Sequence, residues 1–585
     1  MKGFFKIFFA TLLALLVFCV IGFFLFFGFV ASLTTTEKPR IGRNGVLVLD
    51  LSKHFKEQAQ DNPVNALVNG VENDIPSLYD MVRLLNHAKS DSAIKGLYIL
   101  CGSNANGLAA SEELRKAVLD FKSGRKFVIA YGEAISQGGY YVGNVADKIY
   151  CHPQGGVDWS GYAVDLLFLK GTLDKLEIQP EIFYAGKFKS ATEPFRETKM
   201  TEPNRVQTTA WLGNLYEHFL EAAAATRHMD TSVLRSLAVK GSIQTAHDAL
   251  ANNLVDGLKY DDEVKDELIS RLKLRRDDRI NFVNINDYSR SGSWRKFSGD
   301  RIAVVYANGD IVSGSGDNEQ VGSDAFRILL RKLRQDDDIK AIVFRVNSPG
   351  GSSLASDVIW REIALTRKEK PVVVSMGDVA ASGGYYISCG ADSVFADANT
   401  ITGSIGVFSM LVNVQSFFKN KLGMTFDGVK TAPYADMGTS SRPLTEPERR
   451  FLQAAVDSIY FTFKSRVATG RKKDPAYIDS IAQGRVWTGS HGLGLGLVDR
   501  IGTLQDAVEC AARMARAKDY RVREYPEKKN FLEQLMNNYK KSVGEQTLAK
   551  EIGADQLLLI KQIKQVKQMA AGEPQARMPF MLQSH

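Results

Sequence analysis

The chain carries one folding pattern twice, and any structure it adopts has to respect that. Residues 94–161 lie without a gap on residues 339–406, at a shift of 245. Under that shift Ile94-Lys95 meets Ile339-Lys340, Ala110-Ser111 meets Ala355-Ser356, Gly138-Gly139-Tyr140-Tyr141 meets Gly383-Gly384-Tyr385-Tyr386, and Ala146-Asp147 meets Ala391-Asp392. A shorter match joins 241–257 to 484–500, so the duplication covers most of both halves. Length alone points the same way: single cores stop growing near ~250–300 residues, and this chain has 585. Thr402-Gly403-Ser404-Ile405-Gly406 sets a serine between glycines, and at the position of Ser404 the first copy has Trp159.

Within each copy, short apolar runs alternate with amphipathic helical patterns. Val46-Leu47-Val48-Leu49 and Ile302-Ala303-Val304-Val305 read as strands, as do 96–100 and 341–346, while 78–87 and 324–333 carry apolar residues at helical spacing. Such a succession predicts an α/β fold with a parallel sheet covered by helices in each half. Thr201-Glu202-Pro203 and Thr445-Glu446-Pro447 open helices toward Arg227 and Arg471, with proline in or just before the first turn, where its missing N–H costs nothing. The polar stretch 57–73 reads as a loop, the charged and serine-rich stretch 275–297 as a connection, and the Lys-rich residues after Lys518, helical in pattern over 531–569, as an extension. The expected division is 1–40 as an N-terminal anchor, 41–275 as the first repeat, 276–298 as a linker, 299–518 as the second repeat and 519–585 as a basic helical extension.

The anchor follows from the absence of charge between Ile7 and Thr36, a stretch dense in Phe, Leu and Val. At 1.5 Å per residue a helix of that length crosses the ~30 Å hydrocarbon core of a bilayer. It also exceeds the ~7–15-residue apolar region of a cleavable signal. A single transmembrane helix in contact with membrane lipid is therefore expected. Lys2 and Lys6 on one side nearly balance Lys38, Arg40 and Arg43 on the other, so charge does not orient it. A net charge of +8 over this length gives no case for nucleic acid as a partner. The five cysteines form neither a CxxC nor a metal-ligand pattern and are read as buried thiols, and the eight histidines are scattered, so no metal and no cofactor is expected.

The chemistry has to be argued from Ser404. A serine hydroxyl is a poor nucleophile unless a base takes its proton and donors hold the oxyanion that forms. Glycines on either side suit a strand-to-helix turn that points the N–H of Ile405 at a substrate. Asn347-Ser348-Pro349-Gly350-Gly351 follows a buried strand, and glycines without side chains let a peptide carbonyl approach a backbone N–H. Ile405 with Gly350 or Gly351 is the expected oxyanion hole. No histidine lies between His247 and His491 to serve as base. A lysine kept neutral by burial can serve instead, and the candidate stands in the other copy, within Gly186-Lys187-Phe188-Lys189-Ser190-Ala191-Thr192-Glu193-Pro194-Phe195. At the shift of 245, Lys189 falls on Tyr434, so one copy has the lysine without the serine and the other the serine without the lysine.

These blocks, in this order, resemble the signal peptide peptidase A family in its long bacterial form, also called protease IV. The resemblance runs over the N-terminal anchor, the tandem halves, Phe188-Lys189-Ser190-Ala191, Asn347-Ser348-Pro349-Gly350-Gly351, Ser382-Gly383-Gly384-Tyr385-Tyr386, Thr402-Gly403-Ser404-Ile405-Gly406 and Gly484-Arg485-Val486-Trp487-Thr488-Gly489. It implies Ser404 as nucleophile and Lys189 as general base, built from both halves. It implies two tandem domains of the Clp/crotonase type (ββα-superhelix) assembled as a homotetramer. It further implies a serine endopeptidase at the bacterial inner membrane, its body on the periplasmic side, degrading signal peptides already released into the membrane and other apolar peptides. Substrate is expected to lie extended beside Gly351, with Trp159, Phe408 and Met410 read as core. Two alternatives stand beside this reading: a crotonase-like acyl-CoA enzyme using the same glycine-lined hole, and a non-catalytic membrane scaffold.

Overall fold

The computed structural model describes residues 2–34, 39, 41–59, 75–275, 277–292, 294–317, 319–527 and 573–578. The first half holds a six-stranded sheet, all parallel, in the order Gly257–Leu258, Lys148–Val157, Phe127–Ile135, Ile94–Leu100, Gly45–Asp50, Phe282–Asn284. Helices Leu78–Ser90 and Leu108–Ser123 cover one face and Asp261–Leu272 the other, which is why Leu47, Leu97 and Ile99 are as buried as Val46 and Ile129. The second half repeats the plan. Its main path runs Val486–Thr488, Ile401–Gly403, Val372–Ala381, Ile339–Ser348, Asp300–Asn308, Tyr520–Tyr525, parallel except at Val486–Thr488. Ser323–Gln335 and Ser353–Thr366 cover one face and Leu504–Met514 the other.

Buried hydrogen bonds repeat with the strands. Tyr140 Oη donates to Leu254 O at 2.8 Å, and Tyr385 Oη to Leu497 O at 2.9 Å. Asp147 accepts from Val128 N–H at 2.8 Å as Asp392 accepts from Val372 N–H at 2.9 Å. The Tyr141 hydroxyl binds Glu112 as that of Tyr386 binds Asp357. The two helices opened by proline run Glu202–Arg227 and Glu446–Arg471.

Three devices lock the halves together. Strand Gln179–Ala185 leaves the first half and enters a mixed sheet of the second, ordered Gln320–Gly322, Asp310–Val312, Gly350–Ser352, Gln575–Arg577, Val407–Asn413, Gln179–Ala185. Arg345, wholly buried, meets Glu57 through Nε and Nη2 at 2.8 and 2.9 Å and Glu113 at 2.7 Å. Removing one side of such a buried pair costs about 3–5 kcal/mol, because the other charge is left unmatched. Asp378 accepts from Ala109 and Ala110 N–H at 2.9 and 3.2 Å, so a carboxylate of the second half caps a helix N-terminus of the first.

Each half extends one strand past its expected boundary. Phe282–Asn284, within the stretch read as a linker, pairs with Gly45–Asp50, and Tyr520–Tyr525, within the stretch read as an extension, pairs with Asp300–Asn308. The first helix runs Lys2–Thr34, with its described side chains ending at Gly22. Among the described residues no helix is long and apolar enough to cross a membrane; the anchor expected over 7–36 falls partly outside them. The expected helical pattern over 531–569 and most of the loop 57–73 also lie outside the described residues.

Candidate active site

The crossing strand delivers the lysine. Gln179–Ala185 pairs antiparallel with Val407–Asn413, Ala185 opposite Val407 and Gln179 opposite Asn413. Lys189 comes four residues after the first strand and Ser404 three before the second, so this register brings both to one end. The loop carrying Lys189 fits because glycines face it. A Cβ on Gly484 (φ +74°) would lie 2.7 Å from Lys189 N, and one on Gly406 would lie 3.1 Å from Lys189 Cδ. Phe188 N–H donates to Gln483 O at 2.8 Å. Gln207, buried on helix Glu202–Arg227, donates to Phe188 O at 3.0 Å and to Ser190 Oγ at 2.9 Å, and accepts from Val486 N–H at 3.1 Å. One side chain thus ties the lysine loop to the strand beside the serine.

Ser404 closes the strand Ile401–Gly403 with φ +50°, a conformation that serine rarely adopts and that the surroundings must enforce. The turn leads to the strand Val407–Asn413, held by pairing with Gln179–Ala185, and not into the expected helix. Its N–H donates to Arg485 O at 2.7 Å, and Thr402 and Gly403 pair with Trp487 and Val486. Lys189 Nζ lies 3.0 Å from Ser404 Oγ, 2.8 Å from Ser382 Oγ and 3.2 Å from Ser404 O. Lys189, Ser382 and Ser404 are all buried. Burial alone pushes the Lys189 amine well below the usual lysine range, because charge is disfavoured there. Lys187, two residues away in the same block, is exposed and lies over the Phe188 ring at 5.1 Å.

Ser382 supplies a second hydroxyl at the site, one to which the sequence reading gave no role. It has φ +56°, precedes the short helix Gly383–Ser388, and donates its N–H to Gly403 O at 2.8 Å. One signal marks it: its repeat partner is Gln137, so the serine, like Ser404, is confined to the second copy. Gln207 had no such signal.

Of the expected oxyanion donors, Gly350 N–H is engaged by Ser348 Oγ at 3.2 Å. Gly351 faces Ala576 across an antiparallel pair, and Ile405 is buried beside Ser404. A Cβ on Gly350 would lie 2.0 Å from Ala576 O and 2.6 Å from Gly383 N, so Gly383 borders the same space. Phe408 and Met410 are buried on the strand after the serine, and Trp159 is buried in the first half. A cavity of about 750 Å³ is lined by Glu57, Tyr306, Asn347 and Asp378 among others, and Lys189, Ser382 and Ser404 are not part of its lining. Gln575–Arg577 lies between Gly350–Ser352 and Val407–Asn413, in the groove beside the serine. Among the described residues no cluster suited to a metal is present.

A buried serine hydroxyl within hydrogen-bond reach of a buried lysine is an arrangement suited to acyl transfer. Residues 120–275 and 364–518 match peptidase family S49, and residues 296–401 match Clp protease. The chain belongs to peptidase family S49. This S49 peptidase is 36% identical to Protease 4 of Salmonella typhi over 85% of its length and 83% of that protein's. It is 34% identical to Protease 4 of Haemophilus influenzae, over 82% of its length and 80% of the relative's, and 30% identical to the chloroplastic serine protease SPPA of Arabidopsis thaliana, over 81% and 70%. The S49 peptidase is a serine protease, and the acyl-CoA enzyme and the non-catalytic scaffold fall away as readings.

Proposed function

We propose that this S49 peptidase is a membrane-anchored endopeptidase in which neutral Lys189 activates Ser404, and that it degrades released signal peptides and other apolar peptides. The observation that carries the reading is the 3.0 Å approach of Lys189 Nζ to Ser404 Oγ in a site where burial disfavours the ammonium form. Substrate lies extended between Gly350–Ser352 and Val407–Asn413, paired main chain to main chain. Lys189 takes the hydroxyl proton as Ser404 Oγ bonds to the scissile carbonyl carbon, and the carbonyl electron pair moves to oxygen. The N–H groups of Gly351 and Ile405, with Gly383 alongside, hold that oxyanion. Its collapse breaks the C–N bond, the proton on Lys189 goes to the leaving amine, and the acyl group stays on Ser404. Water, deprotonated by the neutral lysine, then releases the acid.

The apolar run 7–36 supports an anchor, which concentrates the enzyme where apolar peptides partition. The family resemblance supports a homotetramer on the periplasmic side of the inner membrane, and mass measurement in detergent checks the copy number. Fluorophosphonate labelling with mapping of the modified residue tests the dyad. Ser404 is expected to be labelled in the wild type and to lose reactivity in Lys189→Ala; equal labelling of both proteins sinks the base assignment.

A further inference from the structure

The strand Gln575–Arg577 occupies the place where a substrate strand belongs. It runs antiparallel to Gly350–Ser352, Gly351 opposite Ala576, and reaches Val407–Asn413 through Gln575 opposite Phe408. Its flanks are bonded as well. Ser353 donates to Pro574 O through N–H at 3.2 Å and Oγ at 2.7 Å, and Met578 N–H donates to Pro349 O at 2.9 Å. Main-chain pairing of this kind accepts almost any sequence, and selectivity comes from pockets that meet individual side chains.

One such meeting is charged. Arg577 Nη2 donates to both carboxylate oxygens of Asp310, each at 2.8 Å. The arginine side chain is 6% exposed and that of Asp310 20%, so the pair is largely withdrawn from water. Asp310 opens the strand Asp310–Val312, which pairs through Ile311 with Gly351 itself. The carboxylate therefore has a fixed register against the strand that would carry the substrate. An apolar side chain in place of Arg577 would strip Asp310 of water without giving it a partner.

We propose that Asp310 is a specificity-determining residue that forms a subsite for arginine or lysine at one position of the bound peptide, with residues 574–578 seated as a stand-in for substrate. This rests on the reading of the groove as the substrate channel of the Ser404 peptidase. It also narrows the substrate class. Signal sequences carry a positively charged segment before their apolar one, and a channel that pairs main chains yet holds one basic side chain suits a peptide of both characters.

The test uses the full chain in detergent and quenched fluorogenic peptides built around Pro-Gln-Ala-Arg-Met, with the arginine kept or replaced by Lys, Ala or Glu. The wild type should favour Arg over Ala in kcat/KM by about ten-fold or more, as for a charge-assisted hydrogen bond. Asp310→Asn should bring that ratio near unity, and Asp310→Arg should favour the Glu peptide, an inversion that loss of structure does not produce. The unlabelled peptides are also measured as competitors of an unrelated apolar substrate, so the ranking is read even if they are not cut. Equal handling of Arg and Ala by the wild type, or an Arg preference surviving Asp310→Asn, overturns the subsite. Should Asp310→Arg fail to fold, the Asp310→Asn ratio decides alone. Absence of Ser404 labelling would strike the dyad instead, whereas normal labelling without an Arg preference strikes only the subsite.

Discussion

Trp159 and Ser404 hold the same place in two copies of one scaffold, and their surroundings differ in kind. Around Trp159 everything is filled. Its Nε1–H donates to Leu234 O at 2.9 Å, and its ring meets Tyr140 and Phe219 with centroids 5.3 and 5.1 Å away. Gln137, in the place of Ser382, ties its side-chain amide to Gly161 N–H and O, both at 3.0 Å. Asn106, in the place of Gly351, donates to Lys53 O at 3.1 Å and accepts from Phe55 N–H at 2.9 Å. Around Ser404 the corresponding atoms are two serines with positive φ, a lysine disfavoured as a cation and a glycine-lined groove. The scaffold bonds from Tyr140 and Tyr385 are alike in both halves. What differs is whether these positions hold strained serines and glycines or packed side chains.

The sharpest way to break this comparison is to exchange the two residues. Ser404→Ala should lower kcat on the order of 10⁴-fold or more, with the circular dichroism spectrum unchanged. Adding Trp159→Ser should restore nothing, because the base is drawn from the opposite copy, and the second copy has Tyr434 where the first has Lys189. Any regained turnover would mean that the first half retains a site of its own. Trp159→Ala instead tests the packing side of the contrast. Loss of a buried tryptophan should cost about 3–5 kcal/mol, read as a lower denaturant midpoint, while the protein that remains folded keeps its kcat. A mutant of unaltered stability would show that the first copy's filling does not support the fold.

Importing the first copy's asparagine into the groove comes next in size. Gly351 has φ +155°, and a Cβ there would lie 2.0 Å from Ile311 O. Gly351→Asn should therefore displace the strand Gly350–Ser352 and reduce kcat/KM by about 10²–10³-fold, the range for loss of one oxyanion donor. Near-normal peptide turnover would remove Gly351 from the mechanism.

The sheets and their covering helices were legible because strands buried on both faces are apolar throughout, as in Val46-Leu47-Val48-Leu49, and because the repeat supplied each reading twice. The edge strands Phe282–Asn284 and Tyr520–Tyr525 were not. An edge is half solvated, so Tyr-Arg-Val-Arg-Glu-Tyr resembles a polar tail until its partner is known. Gln575–Arg577 is more hidden still, since it is held by main-chain pairing and one ion pair rather than by an apolar pattern. Ser404 was marked by its glycines and by its absence from the first copy. Nothing local separates Lys189 from Lys187; what buries one and exposes the other is contact with Gly406 and Gly484, more than 200 residues on in the chain. Family resemblance supplied that choice, and Ser382 and Gln207 became visible only when distant segments were brought together.

Ser382 offers a smaller test. Its hydroxyl lies 2.8 Å from Lys189 Nζ and has no counterpart in the first copy, where Gln137 stands. Ser382→Ala should lower kcat about ten-fold, the worth of one buried hydrogen bond, and leave KM unchanged. A positioning role predicts an altered pH dependence of kcat as well; a fall in KM-dependent terms alone would place Ser382 with substrate binding.

The smallest effect asks whether the lysine is neutral at all. Burial places the Lys189 amine well below its value in the unfolded chain, which is about 10.4. Between the two values the unfolded chain holds a proton that the folded one lacks, so rising pH stabilises the fold. One proton corresponds to a slope of about 1.4 kcal/mol per pH unit. The slope vanishes below the folded value, where both states are protonated, and above the unfolded value, where neither is. Lys189→Met removes this term, so the difference in stability between wild type and variant should change with pH across that window. Catalysis should follow the same proton, with kcat/KM rising as pH passes the folded value. A flat difference for Lys189→Met, or one that grows in favour of the wild type as pH falls, would mean that the buried amine is a cation held by the surrounding oxygens. Ser404 would then have no base, and the contrast between the two halves would be one of packing alone.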